Sequence, residues 1–140
     1  MKQAIRRRIA VGALTTAVVL GGASAALARN GNGSIWVGNT YAHISGSVYW
    51  NPKGTDHGGM EVYGNLYDDE ADGNSAKLEG KVSGYGYTTL WRASGGNGTH
   101  VYGDKVVYDP AALYVNDGYV QTCRYNSWGV DKCTSEYMSR

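Results

Sequence analysis

The segment Met60-Glu61-Val62-Tyr63-Gly64-Asn65-Leu66-Tyr67 is followed, after the acidic stretch Asp68-Asp69-Glu70-Ala71-Asp72-Gly73-Asn74, by Ser75-Ala76-Lys77-Leu78-Glu79-Gly80-Lys81-Val82. In the first segment Met60, Val62 and Leu66 share a face with Gly64, while Glu61, Tyr63, Asn65 and Tyr67 take the other. In the second, Ala76, Leu78 and Val82 share a face with Gly80, opposite Lys77, Glu79 and Lys81. Successive side chains of an extended chain point to opposite sides, so this period of two marks half-buried strands. The Asp-Gly-Asn sequence between them predicts a hairpin, with a loop longer than the tight two-residue type.

Working outward, the same alternation recurs. Ala42, Ile44, Val48 and Trp50 fall on one face of a strand over 41–50, and Tyr41, His43, Ser45, Ser47 and Tyr49 on the other. A short strand from Ser34 precedes it, after a glycine-asparagine tail read as mobile. Tyr85, Tyr87, Thr89 and Trp91 share a side of a strand over 85–93. His100–Tyr108 reads as extended but broken at Gly103-Asp104, and 111–115 as a short strand. Tyr119–Tyr125 alternates again, and a last strand runs to Met138. No segment after the first 28 residues sustains a helical period, and turn signals return every eight to twelve residues or so. The fold class is therefore all-β: a small antiparallel β-sandwich or partly open barrel. Phenylalanine is absent and Gly abundant, so Tyr and Trp must supply aromatic bulk to a modest core.

The first 28 residues read differently. Lys2, Arg6, Arg7 and Arg8 precede an apolar run from Ile9 to Leu20, and Ala26-Leu27-Ala28 is a small-x-small cleavage pattern. This predicts a secretory signal peptide over 1–28 and one secreted domain over 29–140. The interrupted, short apolar run fits a membrane anchor less well, and the arginine cluster also admits a twin-arginine route. The remainder carries nine of the 13 basic residues against all 12 acids, a net charge of −3. Such a balance argues against nucleic acid as a partner, and no later apolar run is long enough to span a membrane. Two cysteines in an exported chain predict one structural disulfide, Cys123–Cys133. A redox-active pair would need closer spacing and a helix start.

The stretch Leu66 to Ala76, with its Ala71-Asp72-Gly73 turn, together with Val120-Gln121-Thr122-Cys123 and Asp131-Lys132-Cys133, resembles small secreted proteins common in actinobacteria. Those proteins share an export signal, an Ala-Asp-Gly turn and a terminal strand closed by a short disulfide. The resemblance covers about half of the secreted part. It implies an exported all-β domain and brings no catalytic residue.

Candidate sites follow from residue type. Asp68, Glu70, Asp72 and Asn74, with Glu79 further on, approach the spacing of a calcium loop, although the flanks are strands and an acidic, solvated turn explains the same residues. His43, His57 and His100 lack the spacing of a zinc site or a catalytic set and read as solvated. Glu61 and Glu79 could supply a glycosidase pair from neighbouring strands, but pairing with Lys77 and Lys81 accounts for them. Tyr63, Tyr67, Tyr85, Tyr87 and Trp91 are the candidate ligand-binding residues, as a platform for sugar rings, against the alternative that they build the core. Trp50 and Trp128 are assigned to structure. The functional expectation is a non-catalytic extracellular or cell-envelope binding module for polysaccharide or cell wall. The alternative is a secreted inhibitor or antagonist of another extracellular protein, acting through the disulfide loop with Tyr125 and Trp128.

Overall fold

The structure, a computed structural model, describes residues 29–30 and 33–140; the expected signal peptide lies outside the described residues. Among the described residues nine strands form: β1 (Arg29–Asn30), β2 (Gly33–Gly38), β3 (Ala42–Trp50), β4 (Met60–Asp68), β5 (Ser75–Val82), β6 (Thr88–Ala93), β7 (Thr99–Val107), β8 (Asp117–Tyr125) and β9 (Lys132–Ser139). One sheet has the order β2-β3-β4-β7 and the other β1-β9-β8-β5-β6. All pairings are antiparallel except that of the two-residue β1, which runs parallel to β9. The sandwich expectation holds, and neither sheet closes into a barrel.

The expected hairpin does not form. β4 pairs with β3 and β7, whereas β5 pairs with β6 and β8 in the other sheet. The acidic stretch is an arch that carries the chain from one sheet to the other. Alternation shows that each strand has one apolar face, but two strands satisfy that equally side by side or stacked across a core. Here Val62 and Leu66 from β4 and Leu78 and Val82 from β5 meet in the same core, joined by Ile44, Val48, Val120 and Met138. Sheets packed face to face stand about 10 Å apart, a gap that six extended residues cross easily. The arch is tied at both ends: Asp69 N–H donates to Tyr41 O, and Arg124 Nε to Asp72 Oδ2.

Three further differences have local causes. β7 runs without interruption through Gly103, where a break is expected from the sequence. A Cβ there would lie 2.4 Å from the Trp91 ring, so the glycine makes room for an indole arriving from the opposite sheet. Strand β6 starts at Thr88, and the 111–115 piece forms no strand. That piece lies over the β3–β4 connection instead: Gly54 N–H donates to Leu113 O and Val115 N–H to Gly58 O. Arg140 braces the same region by donating to Val115 O, Asn51 O and Gly58 O. Arg29 and Asn30, expected in a mobile tail, pair with Met138 and Ser139.

Candidate functional site

The outer face of the four-stranded sheet gathers most of the exposed aromatic residues on regular structure. Register sets its rows. Trp36 on β2 lies across from Ser45 on β3, Ser45 from Asn65 on β4, and Asn65 from Tyr102 on β7. Trp36 and Tyr102, on the two edge strands, are 55% and 63% exposed, so this row is a floor of small polar side chains with an open ring at each end. One side of it is bounded by the row His43, Tyr67 and His100, and the other by Ser47, Tyr63 and Asp104.

The bounding rings are held in place. Trp36 stacks on His43 with centroids 5.5 Å apart, His43 on Tyr67 at 4.5 Å, and Tyr67 leans on His100 at 5.3 Å. His43 Nδ1 is 2.6 Å from Asp69 Oδ2, which fixes the imidazole and ties the face to the arch. Tyr49 and Tyr63 stack at 5.4 Å on the far side. Parallel rings this close must overlap, so part of each internal face is covered, while Trp36, at the end of the stack, keeps one ring face open.

The charge of this face is one-sided. No outward position of β2, β3, β4 or β7 is Lys or Arg; Lys105, though exposed, falls on the other alternation of β7, opposite Val62. Burial raises the pKa of the Glu61 carboxyl above the usual range, and the neighbouring Asp104 and Asp56 push the same way.

The outer face of the other sheet is built on cations. Lys77, only 8% exposed, donates to Asp131 Oδ2 at 2.6 Å and pairs with Glu79 Oε1 at 2.9 Å. Burial works against its charge, but these two carboxylates outweigh that and hold its pKa above the ordinary value. Gln121 Nε2 donates to Glu79 Oε2. Lys81 lies over Tyr87 and Tyr119, and Arg92 over Tyr125. Cys123 and Cys133 are directly opposed in the β8–β9 register and bonded, as expected. The loop they close is pinned by hydrogen bonds from Asn126 N–H to Asp131 and from Trp128 N–H to Asn126. Its tip projects Trp128 and Val130, 97% and 89% exposed, which corrects the assignment of Trp128 to structure. Trp50, by contrast, is buried in the core.

The five aromatic residues singled out from the sequence are divided by the fold. Tyr63 and Tyr67 lie on the four-stranded face. Tyr87 immediately precedes β6 and lies under Lys81 of the opposite sheet, and Tyr85 sits in the turn before β6, donating to Asp109. Trp91 packs against the core. The register shifts between Leu78 and Glu79, so the bulge inverts the alternation of β6 and turns Trp91 inward. Glu61 and Glu79 lie on the outer faces of different sheets, so they form no carboxylate pair. Trp36, Tyr102, His43 and His100 were not selected, although Trp36 alternates with the apolar Ile35 and Val37, which placed it outward. None of the three histidines is simply solvated: His43 and His100 belong to the ring row, and His57 Nδ1 bonds Ala112 O and its ring stacks on Tyr108.

The acidic arch is largely partnered within the chain. Asp72 binds Asn74 through side chain and backbone and also Arg124, and these bonds hold its carboxyl far below the usual range. Arg124 is also 3.5 Å from Glu70 Oε2. Asp68 points inward, 3% exposed, and accepts from Glu70 N–H. A guanidinium thus stands where calcium would gather the carboxylates of Glu70 and Asp72. Among the described residues, the group of three metal-ligand types that converges is Glu79 with Cys123 and Cys133, and there both sulfurs are committed to the disulfide. A groove of about 340 Å³ between β6 and β7, lined by Leu90, Val107, Tyr108 and Pro110, lies away from the ring rows and has Lys105 as its charged lining residue.

No protein-family model matches the chain, and no curated protein or solved structure matches it. Among the described residues no helix is long and apolar enough to cross a membrane.

Proposed function

We propose that the chain is an exported, non-catalytic binding module that takes an extended glycan, in an extracellular or cell-envelope setting, across the outer face of the four-stranded sheet. The observation that supports this most directly is the row Trp36, Ser45, Asn65, Tyr102: two exposed rings with small hydrogen-bonding side chains between them. Three strand spacings separate the rings, about 14 Å, a length that suits several units of an extended chain. Sugar rings stack on the apolar faces of Trp36 and Tyr102, while Ser45 and Asn65 meet hydroxyls. The stacked neighbours hold the rings rigid, which lowers the ordering cost of binding. Residues 29–140 incubated with insoluble cellulose, chitin and peptidoglycan should sediment saturably with at least one of them. Trp36→Ala and Tyr102→Ala should each weaken that binding about tenfold or more, the loss expected for a stacking anchor. Wild-type protein that stays in the supernatant with all three polymers would count against the reading.

A second reading, a secreted antagonist of another protein, is favoured by the pinned loop that holds Trp128 and Val130 in solvent. A rigid convex loop with an exposed Trp suits insertion into an apolar cleft. The two readings use opposite faces, so Trp128→Ala should leave sedimentation with polysaccharide unchanged.

A further inference from the structure

Building on the glycan-binding reading, we infer that the face selects chains free of anionic groups and excludes uronate-, sulfate- or phosphate-bearing polymers. Recognition of an anionic glycan needs a cation beside the stacking rings, and Arg or Lys supplies it wherever carboxylate or phosphate is bound. This chain has such cations, but the fold sends them elsewhere. Lys77, Lys81 and Arg92 project from the other sheet, where Lys77 is neutralised by Asp131 and Glu79 and the other two lie over tyrosine rings. Lys105, the one lysine on the four strands of the binding sheet, is exposed, but on the alternation of β7 opposite to Tyr102 and Asp104, along the β6–β7 groove.

Acids replace cations along the proposed path. Asp104 follows Tyr102 by two residues on β7 and is directly opposite Tyr63, and Glu61 lies diagonally from it on β4. Burial, then the nearby Asp104 and Asp56, disfavour ionisation of Glu61. Asp69 stands at the other flank, bonded to His43. A glycan between Trp36 and Tyr102 therefore runs between two acidic borders. Neutral hydroxyls lose nothing there, since carboxylates accept hydrogen bonds from them. A fixed negative charge on each sugar meets the like charge of Glu61 and Asp104, while Asp69 on the other flank is bonded to His43.

Matched soluble polymers separate the outcomes: hydroxyethyl cellulose against carboxymethyl cellulose, and glycol chitin against carboxymethyl chitin, each cast in a native gel at low ionic strength. The wild-type protein should be retarded by a neutral polymer about tenfold more strongly than by its carboxymethyl form, a gap that shrinks when salt is added. In the double variant Glu61→Gln, Asp104→Asn, neutral and carboxymethyl forms of the same polymer should retard the protein to similar extents. Equal retardation of wild-type protein by both forms, abolished for both by Trp36→Ala, would overturn the charge selection and leave the binding face intact. Absence of retardation by either neutral polymer, with no sedimentation on the insoluble ones, would instead remove the glycan reading on which it rests.

Discussion

At the scale of single residues, Trp91 and Gly103 show how one contact joins the two sheets. The partly buried indole packs against the core and lies against a position where a methyl group would come within 2.4 Å of the ring. Gly103→Ala should therefore cost about 1–3 kcal/mol through overpacking, and Trp91→Ala about 3 kcal/mol through the cavity it leaves. Thermal denaturation of the two variants measures both losses. Neither residue touches the outer face, so polysaccharide sedimentation at low temperature should persist in each. Lys77 is the other residue with a sharp expectation. It holds Asp131 below the ordinary carboxylate range, although burial alone would raise that group. A depressed carboxyl contributes stability above its unfolded pKa, about 4, and loses it as the pH falls through the folded value. Acid titration followed by tryptophan fluorescence should show that loss in wild-type protein, and it should be smaller in Lys77→Met, where Asn126 N–H and Arg92 still favour the Asp131 carboxylate.

Elements bring the acidic arch into view. Strands β4 and β5 are consecutive and similarly patterned, yet they lie in different sheets. Cross-strand nuclear Overhauser contacts should link Tyr63 with Asp104 and Leu78 with Thr122, and none should link the backbone of β4 with that of β5. A β4–β5 ladder would refute the sandwich connectivity. The existence and faces of both strands were legible because burial imposes a period of two. Their pairing was not, because a hydrophobic pattern specifies a buried face and not the neighbour at a strand's edge. The same limit explains β6, where one bulged residue puts Thr89 and Trp91, expected on one side, on opposite faces, Thr89 beside Glu79 and Trp91 beside Leu78.

Across the whole molecule, the two outer faces differ in chemistry. One is aromatic and without Lys or Arg; the other holds a buried lysine, several cation-ring contacts and the disulfide. Reducing Cys123–Cys133 should lower stability by about 2–3 kcal/mol, because the closed loop is short and the cross-link acts mainly on the unfolded chain. Sedimentation with polysaccharide should survive reduction at temperatures where the protein remains folded. The disulfide lies on the sheet opposite Trp36 and Tyr102. Loss of binding on reduction, with the fold retained, would move the binding element to the Trp128 loop.

The sequence by itself determined an all-β chain, the apolar faces of β3, β4 and β5, and the single disulfide. These follow from local rules: alternation, turn chemistry and cysteine parity. The tertiary structure decided which aromatic residues share a surface. Trp36, His43, Tyr67 and Tyr102 come from four strands spread over the sequence, and only register and sheet order set them side by side. It also decided that Arg124 meets Asp72, so that a guanidinium neutralises carboxylates whose spacing alone suggested a metal. Local pattern carries the sign of a face, while partners distant in the chain are selected by packing.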